Sequence, residues 1–278
     1  MKVAFVADFF ANEICGGGEL NNEELIQMIR ASGHHVSKIK AKDFGIKHFT
    51  HDKYIISNYV SLSSGAKEIL QEKGRYSILE HDHQYLSSRN PAGYENFIAT
   101  FDDIINLNFY EKATKVYCQS QYHVDIVKRN LNIDNIVNLG GNLWSLETLD
   151  FIEKLSLEKK SDKTAILNSV IPNKNTSTCI SFCIRAKKDY ELISSSDNRE
   201  FLRQMSLCKE LVFLPKSPET LSRLVVEARM LGLTVITNKL VGAAKEEFFK
   251  MKGRELIQFF RDKRGEILSE ILNFIEEE

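Results

Sequence analysis

Short apolar runs alternate with helical patterns along the whole chain, and this alternation constrains the fold more than any other feature. Residues 2–7 (KVAFVA) are followed by a glycine-rich turn and a helical pattern over 20–31, with Leu25, Ile26 and Ile29 on one face. Residues 35–39, KYIIS (53–57), YSILE (76–80), KVYC (115–118) and NIVNL (135–139) are further strand-like runs. The pattern restarts with TAILN (164–168), a helix over 176–187, a strand at 190–193, a helix near 199–207, ELVFL (210–214), a helix from Glu219, TVIT (234–237) and a long helix over 255–276. Strands separated by helices predict parallel sheets with helices on their faces. The polar stretch EKLSLEKKSDK (153–163) is the best linker. It divides the chain into two Rossmann-like domains, 1–155 and 156–278, with the last helix able to pack back on the first.

Composition narrows the class. Of the 278 residues, 43% are hydrophobic and 27% charged, enough apolar material for real cores. A formal net charge of −1 supplies no global field for nucleic acid or anionic lipid. The start, MKVAFVADFF, already contains Asp8 and lacks the hydrophobic region of a secretion signal, and no stretch reaches the roughly 20 apolar residues of a membrane span. Cys15, Cys118, Cys179, Cys183 and Cys208 form no CxxC pair; they read as reduced thiols of a cytoplasmic protein.

Four motifs carry possible chemistry. Cys15-Gly16-Gly17-Gly18-Glu19 lies between a strand and a helix, where glycines admit a ligand and helix-start amides attract phosphate, though a plain structural turn explains it equally. Glu80-His81-Asp82-His83 lies at a strand end, the place where parallel sheets gather ligands. His81 or His83 can there meet a hydroxyl or move a proton, or merely cap a loop; a zinc site lacks an evident third ligand. The segment from His81 to about Ile104 has no clear period and reads as a long functional loop. Lys174, in Asn173-Lys174-Asn175, is placed as a lysine in a phosphate cradle would be, or as an ordinary solvated lysine. Finally, Pro218 and Glu219 open a helical pattern in which Glu227 sits among Leu224, Val225, Val226 and Ala228. On one continuous helix the two glutamates would lie within about 80° of one face and about 12 Å apart along the axis, suited to gripping two ends of an extended ligand. The alternative for Glu227 is an ion pair with Arg223 at helical spacing.

These motifs resemble retaining glycosyltransferases of the GT-B fold, specifically glycosyltransferase family 4, through its Glu-x7-Glu spacing at Glu219 and Glu227. GGGE (16–19), His81-Asp82, KVYCQSQYHVDIVK (115–128) with NIVNLGGNLW (135–144), Lys174 and VVEARMLGLTVIT (225–237) follow that family's order along nearly the whole chain. The resemblance implies two Rossmann-like α/β domains facing across a cleft, and a metal-independent hexosyl- or pentosyltransferase. The donor implied is a UDP- or GDP-sugar, bound as substrate with no separate cofactor. Carried across, Glu219 contacts the donor sugar, Glu227 the ribose hydroxyls and Lys174 the diphosphate. Gly17 and Gly18 admit the donor, His81 lines the sugar and acceptor side, and the backbone at Leu221, Ser222 and Arg223 faces the phosphate.

Asn168-Ser169 stands where the family has an arginine, leaving Arg223 or Lys216 to supply that charge; Thr220 and Ser222 replace glycines, and the late Gly-Gly is Gly242-Ala243. The acceptor expected is a glycan, with a hydroxylated DNA base as the lesser option. Competing readings are a sugar-nucleotide epimerase, a dinucleotide oxidoreductase, disfavoured by the incomplete glycine fingerprint, and a non-catalytic sugar-nucleotide-binding protein.

Overall fold

The computed structural model describes residues 1–73 and 75–277. The chain divides into two compact units, Met1–Leu143 with Arg264–Glu278, and Trp144–Lys263.

In the first unit, β1 (Lys2–Ala7), α1 (Gly17–Ala31), β2 (His35–Lys40), β3 (Lys53–Ser57), α2 (Ser64–Lys73), β4 (Tyr76–Leu79), α3 (Leu107–Glu111), β5 (Lys115–Cys118), α4 (Gln121–Asn130) and β6 (Ile136–Asn138) follow in turn. The six strands form one parallel sheet in the order β2-β1-β3-β4-β5-β6. Side chains alternate across it, as the period-two geometry of a strand requires. Ala4 and Val6 join Tyr54, Ile56, Ile78 and Val116 in one core. Val3, Phe5 and Ala7 join Leu25, Ile26, Ile29 and Ile55 in the other. With both faces covered, the strands read as continuous apolar runs. Each large apolar side chain so buried contributes roughly 1.5–3 kcal/mol.

The second unit contains α5 (Leu146–Ser156), β7 (Ser161–Leu167), α6 (Thr176–Arg185), β8 (Tyr190–Ile193), α7 (Asn198–Ser206), β9 (Cys208–Phe213), α8 (Arg223–Met230) and β10 (Thr234–Thr237). Its parallel sheet runs β10-β9-β7-β8. Ala165, Leu211 and Phe213 face a core with Trp144, Val225 and Phe260. Ile166 and Val212 face Cys179 and Cys183, which are free thiols buried in packing. The closing helix α9 (Arg254–Glu276) has residues in both units: Leu256, Ile257 and Phe260 in the second core, and Ile267, Ile271, Phe274 and Ile275 in the first.

Three local expectations are corrected. The supposed linker 153–163 is the end of α5 and the start of β7, because Ile152 and Leu155 anchor that polar-looking helix in the core. The glycine-rich turn is partly helix, since Gly17 and Gly18 already belong to α1. Most consequentially, no helix starts at Glu219. That residue is extended, bridging Val241, with its N–H on Leu240 O at 2.7 Å and its C=O accepting from Gly242 N at 2.9 Å. The helix begins four residues later, at Arg223, so the one-helix geometry for the two glutamates does not hold.

Candidate functional site

Each sheet has a point where the strand order reverses, and parallel sheets bind ligands at the carboxyl ends of the strands flanking it. In the second unit this point lies between β7 and β9. The turn after β7 carries Lys174 and the segment after β9 carries Glu219. The two loops are tied together by Lys216 N donating to Asn173 O at 2.9 Å. Lys174 Nζ reaches Glu219 Oε1 at 2.7 Å, both side chains partly exposed. Two of the expected site residues are thus brought into contact.

Glu227 is buried on α8. Trp144 Nε1 donates to its Oε1 at 2.8 Å, and Arg223 Nε lies 3.3 Å from the same oxygen. The Arg223 guanidinium stacks over the Trp144 ring, 4.3 Å from its centroid. The ion pair anticipated from helical spacing therefore exists, with an indole donor that nothing local announced. Arg223 is 9% exposed and held by these contacts. Lys216 is exposed and lines a cavity of about 410 Å³ beside the Lys174 turn, with Ser169, Asn175 and Thr176.

Leu221 is wholly buried, so only its backbone can serve a ligand, and its C=O accepts from Ala243 N at 3.0 Å. Ser222 precedes α8 at φ 76°, a left-handed conformation that glycine adopts freely and serine at a cost. The glycine expected there by resemblance has a physical reason, and the serine bears the strain.

In the first unit the reversal lies between β1 and β3. Gly17 and Gly18 open α1 after β1, Asn58 follows β3, and Glu80-His81 follows β4. A methyl group at Gly18 would meet Asn58 Nδ2 at 3.5 Å and His81 Cγ at 3.6 Å, ordinary contacts, so the surrounding protein does not itself demand glycine there. Gly17 is exposed at the helix start. His81 is hydrogen-bonded through both nitrogens, Nε2 with Asn22 Oδ1 at 3.0 Å and Nδ1 with Gln119. Burial pushes its pKa down to about 4, so the ring is neutral at pH 7. The two hydrogen bonds hold the ring in place.

His83 Nδ1 pairs with Tyr85 Oη at 3.0 Å. Among the described residues, no three His, Cys, Asp or Glu side chains gather as a group able to hold a metal ion. No helix there is long and apolar enough to cross a membrane.

The residue that sequence reasoning passed over is Glu80. It is 1% exposed and accepts from the amides of Asp82 at 2.9 Å and His83 at 2.7 Å, while Tyr110 Oη donates to its other oxygen. A carboxylate ending an apolar strand, two residues before a possible turn, was the available signal.

No family model matches the chain, and no curated protein is similar enough in sequence to count as a relative. Solved structures do match. Anabaena Alr3699/HepE in complex with UDP and glucose superposes with a TM-score of 0.59 at 15% identity, over 95% of this chain and 89% of that one. An alpha-glucosyltransferase in complex with UDP and a 13-mer DNA containing a HMU base gives 0.53 at 12% identity, over 100% of both chains. The same description with UDP alone gives 0.51 at 13%, over 96% and 94%. The fold is of the GT-B type: α/β, with two parallel sheets and their helices.

Proposed function

We propose that the chain is a retaining glycosyltransferase that moves a sugar from a nucleoside-diphosphate sugar to an acceptor hydroxyl. The observation that carries this reading is the gathering of Lys174 and Glu219 at the strand reversal of the second sheet, with Glu227 on the helix that follows. Support comes from a fold shared with proteins solved with UDP and UDP-glucose, and a UDP-sugar is the donor we assign.

In this reading Glu227 offers Oε2 to the ribose diol, since its described contacts engage Oε1. Lys174 leaves Glu219 for the diphosphate, and the freed Glu219 takes a sugar hydroxyl. Lys216 supplies the second cation, and the start of α8 turns its amides on the phosphate. The bond from the anomeric carbon to the diphosphate breaks and a bond to the acceptor oxygen forms on the same face. The acceptor proton leaves on the diphosphate. Positioning and stabilisation of the departing charge by these groups suffice without a metal.

The acceptor we assign is a glycan. The DNA-bound neighbour favours a hydroxylated base instead, but a net charge of −1 gives no support for tracking a phosphate backbone. Purified protein given UDP-glucose, with glycan acceptors and with duplex DNA containing 5-hydroxymethyluracil, tests both; no nucleoside diphosphate release from any nucleotide sugar refutes the enzyme reading.

Two variants probe the roles. Glu219→Gln is expected to bind UDP at least as tightly as the parent and to lose roughly 10-fold or more in transfer, because the sugar hydroxyl it takes once Lys174 leaves exists only on the intact donor. Equal loss of UDP affinity contradicts this. His81→Ala is expected to lower turnover by about 10-fold while leaving UDP affinity unchanged. An inflection between pH 5 and 8 that persists in Glu80→Gln and vanishes in His81→Ala would show a proton carrier instead, against the neutral ring described above.

A further inference from the structure

We propose that Glu80 is a positioning residue of the first unit's site, its buried carboxylate holding by backbone amides the turn that sets His81 beside Gly18. The inference rests on the functional reading above.

In the turn after β4, His83 stands at φ 60°, a left-handed conformation uncommon outside glycine. Something must over-determine it. Glu80 Oε1 takes the amides of Asp82, His83 and, more distantly, Gln84 at 3.4 Å, and Tyr110 from α3 donates to Oε2. One side chain thus fixes three consecutive peptide groups directly after His81. Asn22 and Gln119 then fix the ring itself.

A neutral amide would satisfy the same N–H groups with no charge to bury. The chain instead places a carboxylate among Tyr59 after β3, Tyr85 after the turn, Tyr110 on α3 and Cys118 on β5, with Asp82 as a nearby like charge. Burial first, and Asp82 second, raise its pKa from 4.5 to about 7. The sign follows from linkage. A carboxyl whose folded pKa lies above its unfolded value favours folding while protonated, and that advantage is lost as pH rises from 4.5 through 7. At pH 8 the ionised Glu80 therefore costs stability. The return is a set of charge-assisted bonds, stronger than neutral ones, on the backbone that carries His81. A group kept at a cost to the fold is what a site requirement produces.

The test uses the full chain and Glu80→Gln. The variant is expected to melt a few degrees higher than the parent at pH 8.5, with the difference vanishing near pH 4.5. It should bind UDP normally and turn over UDP-glucose roughly 10-fold more slowly. The parent's turnover should rise through about pH 7, and this inflection should be absent from the variant. Tyr110→Phe, which removes the hydroxyl that favours the anion, should move the inflection upward and serves if Glu80→Gln fails to fold. Unchanged turnover in Glu80→Gln, a loss that merely tracks the folded fraction, or an unmoved inflection in Tyr110→Phe overturns the proposal. Should the parent turn over no nucleotide sugar, the functional reading fails separately. The ring-nitrogen NMR signals of His81 then decide, and identical signals in parent and Glu80→Gln overturn the positioning role.

Discussion

Lys174→Ala is expected to lower turnover of UDP-glucose by about 100-fold or more, and to weaken UDP far more than uridine. The ammonium sits 2.7 Å from Glu219 and 5.9 Å from the Phe213 ring centroid, half-exposed and with only one anionic partner described. A diphosphate offers more negative charge than one carboxylate, so the lysine exchanges partners when the donor binds. One charge-assisted bond is worth roughly 1.5–3 kcal/mol, or about 10- to 150-fold in affinity. The charge that grows on the leaving diphosphate adds to the effect on turnover. Uridine lacks that partner and should bind as before. Stability should change little, because partly exposed pairs contribute about 0–1 kcal/mol. Calorimetric titration with both ligands checks the role; equal weakening of uridine and UDP removes Lys174 from the phosphates.

Glu227→Gln should weaken UDP and UDP-glucose alike by roughly 10-fold or more, with part of its effect on stability. Its carboxylate compensates the buried Arg223, and breaking such a pair from one side costs about 3–5 kcal/mol. Trp144 Nε1 can still donate to the remaining amide oxygen, and the guanidinium keeps its stacking on the indole. The expected signature is therefore double: a lower melting temperature and, in the folded fraction, a loss of affinity shared by every ligand that carries ribose. Melting curves followed by titration with uridine, UDP and UDP-glucose separate the two effects. A destabilised variant that binds all three as tightly as the parent shows Glu227 to be structural, and the assignment to ribose fails.

The fold was legible because its signal is periodic. Val3, Phe5 and Ala7 against Ala4 and Val6, or Ile166 and Val212 against Ala165 and Leu211, are buried on both sides, so the strands appear as apolar runs. Lys174 and Glu219 were legible as a pair only through resemblance; nothing between residues 174 and 219 reveals that one loop's amide bonds to the other's carbonyl. The helix start was misplaced because Pro218 fits a first turn as well as an extended segment, and Val241, which bridges Glu219, lies 22 residues beyond that glutamate. Glu80 and Trp144 went unassigned for the same reason. A buried carboxylate or indole acquires its meaning from Tyr110 or Glu227, and such partners leave no mark on the local sequence.

The path of α9 bears on how the molecule is made. The first unit begins with the first strand of the chain, yet Ile267, Ile271, Phe274 and Ile275 complete one face of its sheet, and Tyr117 Oη reaches Glu270 O at 3.5 Å. During synthesis, Val3, Phe5 and Leu25 emerge more than two hundred residues ahead of the side chains that cover them. Residues 3–29 therefore wait with an uncovered apolar face, while the second unit, contiguous from Trp144 to Lys263, needs no distant segment of the chain to complete it. Nascent chains of this protein thus rely on Ile267, Ile271, Phe274 and Ile275 to quench the stickiness of Val3, Phe5, Leu25 and Ile29.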